Sequence, residues 1–121
     1  MPRKASKTFT DKELEVMRVV WELGEASARQ IQARLSGDRH YNTVMTIIRV
    51  LEKKKHLTHR EEGRLYIYRP TQTQEKARKR ILKHLVRQVF GGSATSLVLN
   101  LVETGELSSE DLDAIRKKVK P

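Results

Sequence analysis

The chain has 121 residues, 37% of them hydrophobic, with no Cys and a formal net charge of +10. That length suits one compact unit, or a small domain with an oligomerisation segment, and excludes two large independent domains. The lack of Cys excludes disulfides, thiolate catalysis and Cys-ligated metal sites, and the charge makes a polyanion the first partner to consider.

The chain opens on a basic arm, residues 1–8, with no apolar core behind it. No run of about 18 apolar residues follows, so the expectation is a cytoplasmic chain that neither spans a membrane nor is secreted. Thr10-x-x-Glu13 then has the form of a capping box and starts a first helix. Leu14, Met17, Val20, Trp21 and Leu23 recur in it at helical spacing up to Gly24, which supplies a left-handed end. Ser27-x-x-Gln30 repeats the box for a second helix, with Ala28, Ile31 and Leu35 on its inner face, broken by Ser36-Gly37-Asp38.

A third helix is predicted from about Asn42 to Lys54, with Val44, Ile47, Ile48 and Leu51 as its inner stripe. At about 100° per residue, Asn42, Thr46, Arg49 and Lys53 share a narrow arc opposite that stripe, with Thr43 at its edge and no acid among them. Short donors and acceptors flanked by cations are what a helix presents to the major groove. Asn42, Thr43 and Thr46 are the candidate base readers, and Arg49 and Lys53 the candidate phosphate contacts. The plainer reading is an ordinary solvated face.

After Lys55 the period changes to two, predicting a β-hairpin with strands Leu57–Arg60 and Arg64–Arg69, Gly63 in a tight polar turn after Glu61-Glu62, and Pro70 at the end. Glu61-Glu62 argues against deep insertion of this wing in a groove, so Arg60 and Arg64 are candidates for backbone contact, or for a solvated hairpin. Tyr66 and Tyr68 fit strand and core packing, whereas Tyr41 fits either packing or a place flanking DNA. Three helices and a hairpin in this order form a winged helix-turn-helix.

Beyond Thr71 the period is helical again: Ala77, Ile81, Leu82, Leu85, Val86 and Val89 form a stripe closed by Gly91-Gly92. Residues 71–92 hold six Lys or Arg against one acid, whereas residues 93–121 hold four against five. Ser93 caps a fifth helix with Leu97, Val98, Leu101 and Val102, and Ser108-x-x-Asp111 a sixth with Leu112, Ile115 and Val119. Helices of about 10 residues are marginal in water, so these need a partner, and a second copy is the simplest one. Leu82, Leu85, Val89, Leu97, Leu101, Leu112 and Ile115 are the candidate dimer contacts. The expected fold class is mainly α with a small β-hairpin: a winged-helix domain over 9–71 and a helical dimerisation domain over 72–121.

No enzyme or cofactor signature is visible. His56-x-x-His59 lacks further ligands, and a hydrolase built on His40 or His84 lacks a positioned partner in sequence. Structured RNA, or a purely protein-binding winged helix, are the readings of another class.

Four stretches of the first domain resemble the penicillinase-repressor and methicillin-resistance-repressor family. They are Glu13-Leu14-Glu15-Val16-Met17 with Trp21-Glu22, Tyr41-Asn42-Thr43-Val44-Met45-Thr46, Arg49-Val50-Leu51-Glu52-Lys53-Lys54, and Gly63-Arg64-Leu65-Tyr66-Ile67-Tyr68-Arg69-Pro70. Phe90-Gly91-Gly92-Ser93, Leu97-Val98-Leu99-Asn100-Leu101-Val102 and Leu107-Ser108 resemble its dimerisation domain, so the resemblance runs from about Phe9 to Val119. It implies a homodimeric transcriptional repressor that binds an inverted-repeat operator in double-stranded DNA, one recognition helix per half-site. In members coupled to a membrane sensor protease, repression ends when the dimerisation domain is cut at an Asn-Phe bond. The matching position is Asn100-Leu101, where Leu replaces the family's Phe, and the plainer reading of Asn100 is a polar residue on a buried helix. A copper-responsive branch acts through C-terminal cysteines, which this chain lacks.

Overall fold

The computed structural model describes residues 8–119, so all of the basic arm but Thr8 lies outside the described residues. The elements run α1 (Asp11–Leu23), α2 (Ala28–Arg34), α3 (Tyr41–Lys53), β1 (Leu57–Glu62), β2 (Leu65–Pro70), α4 (Gln74–Val89), α5 (Ala94–Glu103) and α6 (Ser109–Lys118). They fall into two compact units divided between Arg78 and Lys79.

Local caps set the ends of the first helices. The Thr10 hydroxyl accepts from the Glu13 amide while the Glu13 carboxylate accepts from the Thr10 amide, and Ser27 and Gln30 do the same for α2. Each box satisfies two amides that the first turn leaves without helical partners. Gly24, at φ +83°, donates back to the Val20 carbonyl and ends α1. At the end of α3 the left-handed position falls on Lys55, at φ +68°; the Lys55 amide donates to the Glu52 carbonyl and the His56 amide to that of Leu51, both at 2.9 Å. That is a Schellman ending built without glycine.

The core of the first unit is made where these helices and the hairpin meet. Val16, Met17 and Val20 of α1, Ile31 of α2, Val44, Ile48 and Leu51 of α3, Leu57 of β1 and Tyr68 of β2 are buried. Each such side chain withdrawn from water stabilises the fold by roughly 1.5–3 kcal/mol. Val16 and Val19 are buried where the sequence pattern had named Leu14 and Leu23, which are half-buried. Phe9 packs edge-on against Trp21 and lies 4.3 Å from the His56 ring.

The hairpin is longer than the sequence pattern predicts. Glu61 and Glu62 belong to β1 and pair with Tyr66 and Leu65, leaving only Gly63-Arg64 as the turn. Gly63, first of the two, has φ +65°, the glycine placement of a II′ turn. Only Leu57 and Tyr68 of the two strands are buried, so the wing projects beyond the core. An isolated bridge, Ala26 to Tyr68, ties the loop before α2 to β2.

The first unit extends past the expected boundary at residue 71. The Thr71 amide donates to the His56 carbonyl at 3.0 Å, the Trp21 indole N–H to the Gln72 carbonyl at 3.0 Å, and Ala77 is 4% exposed. In the second unit Ser93 caps α5, and Ser108 and Asp111 form a full capping box on α6. None of its described residues, 79–119, is buried. Among the described residues no single helix is long and apolar enough to cross a membrane.

Candidate nucleic-acid interface

The outward face of α3 follows from the way the helix is buried. Val44, Ile48 and Leu51 are fully enclosed, which turns Asn42, Thr43, Thr46, Arg49 and Lys53 outward, and all five are exposed. The one acid of α3, Glu52, points to the wing, where its carboxylate lies 2.6 Å from His59 Nδ1. Arg49 and Lys53 make no ion pair among the described residues. The Thr46 hydroxyl donates to the Asn42 carbonyl at 2.9 Å. Its methyl and lone pairs remain for a ligand, whereas Asn42 and Thr43 keep free donors and acceptors.

The Glu52–His59 contact couples α3 to the wing. His59 stacks on Tyr66 with ring centroids 4.3 Å apart and planes 16° apart. Tyr66 is thus 45% exposed and packs on its neighbouring strand rather than in the core, while Tyr68 is 2% exposed, and burial pushes its hydroxyl above the ordinary tyrosine range. His56 and His59 have different surroundings: His56 is buried beside Phe9, and His59 lies on the wing.

Between the wing and α3 lies a cleft of about 350 Å³ whose lining includes Arg29, Tyr41, Arg64 and Tyr66. The Arg29 guanidinium stands 4.1 Å over the Tyr41 ring, an arrangement that holds the cation in place by its attraction to the π face. Tyr41 therefore packs under an arginine. Arg29 is a candidate that the sequence pattern did not single out. It lies on the outer side of α2, and only folding brings Tyr41 beneath it.

The two candidate arginines of the wing differ. Arg60 is held by both oxygens of Glu25 and, at 3.0 Å, by Glu62. The hydrogen bond from Arg60 holds the Glu25 carboxyl below its ordinary range, and the Glu25 and Glu62 carboxylates raise the guanidinium further. Arg64, in the turn, makes no ion pair among the described residues. Arg34 and Arg39 are neutralised by Glu22 and Glu15, and Lys54 by Glu13. The cations without such partners include Arg29 and Arg64 at the cleft and Arg49 and Lys53 on α3.

The remaining expected site residues lie in the second unit. Leu82, Leu85, Val89 and Ile115 are exposed, Leu97, Leu101 and Leu112 half-buried. Asn100 is exposed on α5, and its side-chain amide donates to the Ser96 carbonyl at 2.9 Å. No described residue of α5 is buried within the single chain.

Comparison with known proteins places this geometry. The profile of the penicillinase repressor family matches residues 9–121. A penicillinase repressor of Bacillus licheniformis is 30% identical over 110 residues, covering 88% of this chain and 85% of that protein. The methicillin resistance regulatory protein MecI of Staphylococcus aureus (strain N315) is 28% identical over 115 residues, covering 92% and 94%. The solution structure of the DNA binding domain of the repressor BlaI superposes with a TM-score of 0.52 at 31% identity, covering 60% of this chain and 90% of that one. The three helices and hairpin are a winged-helix DNA-binding domain, and the chain belongs to the penicillinase repressor family.

Proposed function

We propose that this transcriptional repressor acts as a homodimer on an inverted-repeat operator in duplex DNA, each protomer inserting α3 in a major groove. The observation that carries the reading is the outward face of α3, exposed and free of acid because its one carboxylate is turned to His59. Asn42 and Thr43 supply hydrogen bonds to base edges, and Thr46, its donor already used, offers its methyl to an apolar contact such as a thymine methyl. Arg49, Lys53, Arg64 and Arg29 neutralise phosphates. The dimer is supported by a second unit in which no described residue is buried although Leu82, Leu85, Val89 and Ile115 are apolar and exposed.

The test is selection of a preferred duplex from random sequence, then comparison of that duplex with a scrambled one. Asn42→Ala or Thr43→Ala is expected to weaken the selected duplex by about 1–3 kcal/mol per lost contact and the scrambled one little. Thr46→Val is expected to keep the discrimination and Thr46→Ser to lose it. Equal losses on both duplexes would remove α3 from base reading, and a preference for structured RNA over duplex DNA would replace the reading altogether.

Release by a membrane sensor protease at Asn100–Leu101 is part of the same proposal. It is supported by the exposure of Asn100 and by the loss of Leu101, Leu112 and Ile115 from the association surface that a cut there entails. Mass spectrometry of the protein from induced cells decides it: fragments 1–100 and 101–121 are expected, and an intact chain beside a derepressed promoter refutes cleavage.

A further inference from the structure

Four of the cations of α4 share one face of the helix. Lys76, Arg80, Lys83 and Arg87 of α4 recur at i, i+4, i+7 and i+11, which places them within an arc of about 60°. Ile81, Leu85 and Val89 occupy the far side of the same helix. The three of these that belong to the second unit, Arg80, Lys83 and Arg87, are exposed and make no ion pair among the described residues. α5 has one acid and no base, and α6 balances three acids with three bases, so the excess belongs to α4 alone. Like charges at i, i+3 and i, i+4 work against a helix, and no acid on the arc relieves them.

We infer that this face of α4 is a second duplex-DNA surface, on which Arg80, Lys83 and Arg87 neutralise backbone phosphates without reading bases. The inference rests on the DNA-binding reading above. The arc carries long cations and no Asn, Thr or Ser, the composition of phosphate contact rather than base readout. It carries no aromatic ring, as single-strand stacking would require. A membrane is disfavoured because the basic arc lies opposite the apolar one: a helix embedded by its apolar side would aim these cations away from the headgroups.

The test uses the full chain and a long random-sequence duplex, titrated over a series of KCl concentrations. Neutralising one phosphate contributes about 0.9 to the slope of log affinity against log salt. Arg80→Gln/Lys83→Gln/Arg87→Gln is expected to reduce the slope by roughly two to three units per chain, Lys83→Gln alone by about one, and Arg80→Lys/Arg87→Lys not at all. Sedimentation of each variant checks the association state, and Lys83→Gln decides the matter if the triple variant alters it. Wild-type protein that binds no duplex would overturn the DNA-binding reading itself. Wild-type binding with an unchanged slope in Lys83→Gln and the triple variant would overturn only the α4 surface. An unchanged slope with lost binding to phosphatidylcholine–phosphatidylglycerol vesicles would assign the face to membranes instead.

Discussion

The ammonium of Lys54 lies 2.7 and 3.1 Å from the two carboxylate oxygens of Glu13, with the side chains 9% and 8% exposed, and so joins the end of α3 to the first turn of α1. Glu13 serves twice, since the same carboxylate accepts the Thr10 amide of the capping box. A buried pair of this kind is close to neutral against a hydrophobic replacement, yet removing one partner strands the other charge at a cost of about 3–5 kcal/mol. Glu13→Gln keeps a capping side chain and removes the charge. It is expected to lower stability in urea by about 3 kcal/mol, with Glu13→Gln/Lys54→Met recovering most of the loss. Equal stability of the single and double variants would show that the pair is not the cause.

Arg60 and Arg64 both lie on the wing, but only Arg60 is held between two carboxylates. Arg64→Gln is therefore expected to reduce the salt slope of duplex binding by about one unit, and Arg60→Gln by less. The Glu25–Arg60 contact has its own pH signature. Because Arg60 lowers the folded-state pKa of Glu25, their stabilisation is present above the unfolded pKa and is lost as pH falls through the lowered folded value. Glu25→Gln is expected to flatten that part of the stability profile at acid pH and leave the neutral part in place. An unaltered acid limb in this variant would remove the contact from the account.

The features legible in the sequence are those made within a few residues. Thr10–Glu13, Ser27–Gln30 and Ser108–Asp111 each close a box over three residues, and the outward face of α3 is fixed by the spacing of Val44, Ile48 and Leu51 on the same helix. Contacts between remote segments left no periodic trace. Ala26 meets Tyr68, Glu25 meets Arg60 and Tyr41 meets Arg29 only once the chain has folded. That is why Arg60 and Arg64 read alike in sequence and why Arg29 did not stand out. The domain boundary shifted for a similar reason, since Trp21 reaches across to the Gln72 carbonyl.

Lys55 shows what punctuation misses when the usual residue is absent. Its φ of +68° lies where a β-carbon is crowded, and the Leu51 and Glu52 carbonyls are nevertheless satisfied by the following amides. Glycine removes the crowding while keeping both hydrogen bonds, at the expense of a more flexible unfolded chain. Lys55→Gly is expected to stabilise the first unit by up to about 1 kcal/mol, and Lys55→Val to destabilise it by at least as much. Denaturation midpoints in urea measure both, and a loss on Lys55→Gly would show that the lysine side chain contributes more than its backbone costs.

The division between Arg78 and Lys79 makes the proposed dimer testable by truncation. All the residues of the buried core cluster, Val16 through Tyr68, lie before it, as do the Gln72 carbonyl that receives the Trp21 N–H and the buried Ala77. A chain ending at Arg78 is therefore expected to fold with its core intact, and one ending at Thr71 to be less stable, having lost both of those contacts. The Arg78 chain retains α3 and the wing but none of the exposed apolar residues of the second unit, so it is expected to sediment as a monomer. Two linked heads exceed one in affinity by roughly 10²–10⁴, and the truncated chain is expected to lose that factor on a two-half-site duplex, whereas on a single half-site it loses only what the phosphate contacts of Arg80, Lys83 and Arg87 contribute. Sedimentation velocity and binding to both duplexes measure the two effects separately. A dimer at Arg78 would move the interface into the winged-helix unit, and a monomer that still bound the two-half-site duplex at full strength would show that association contributes nothing to operator occupancy.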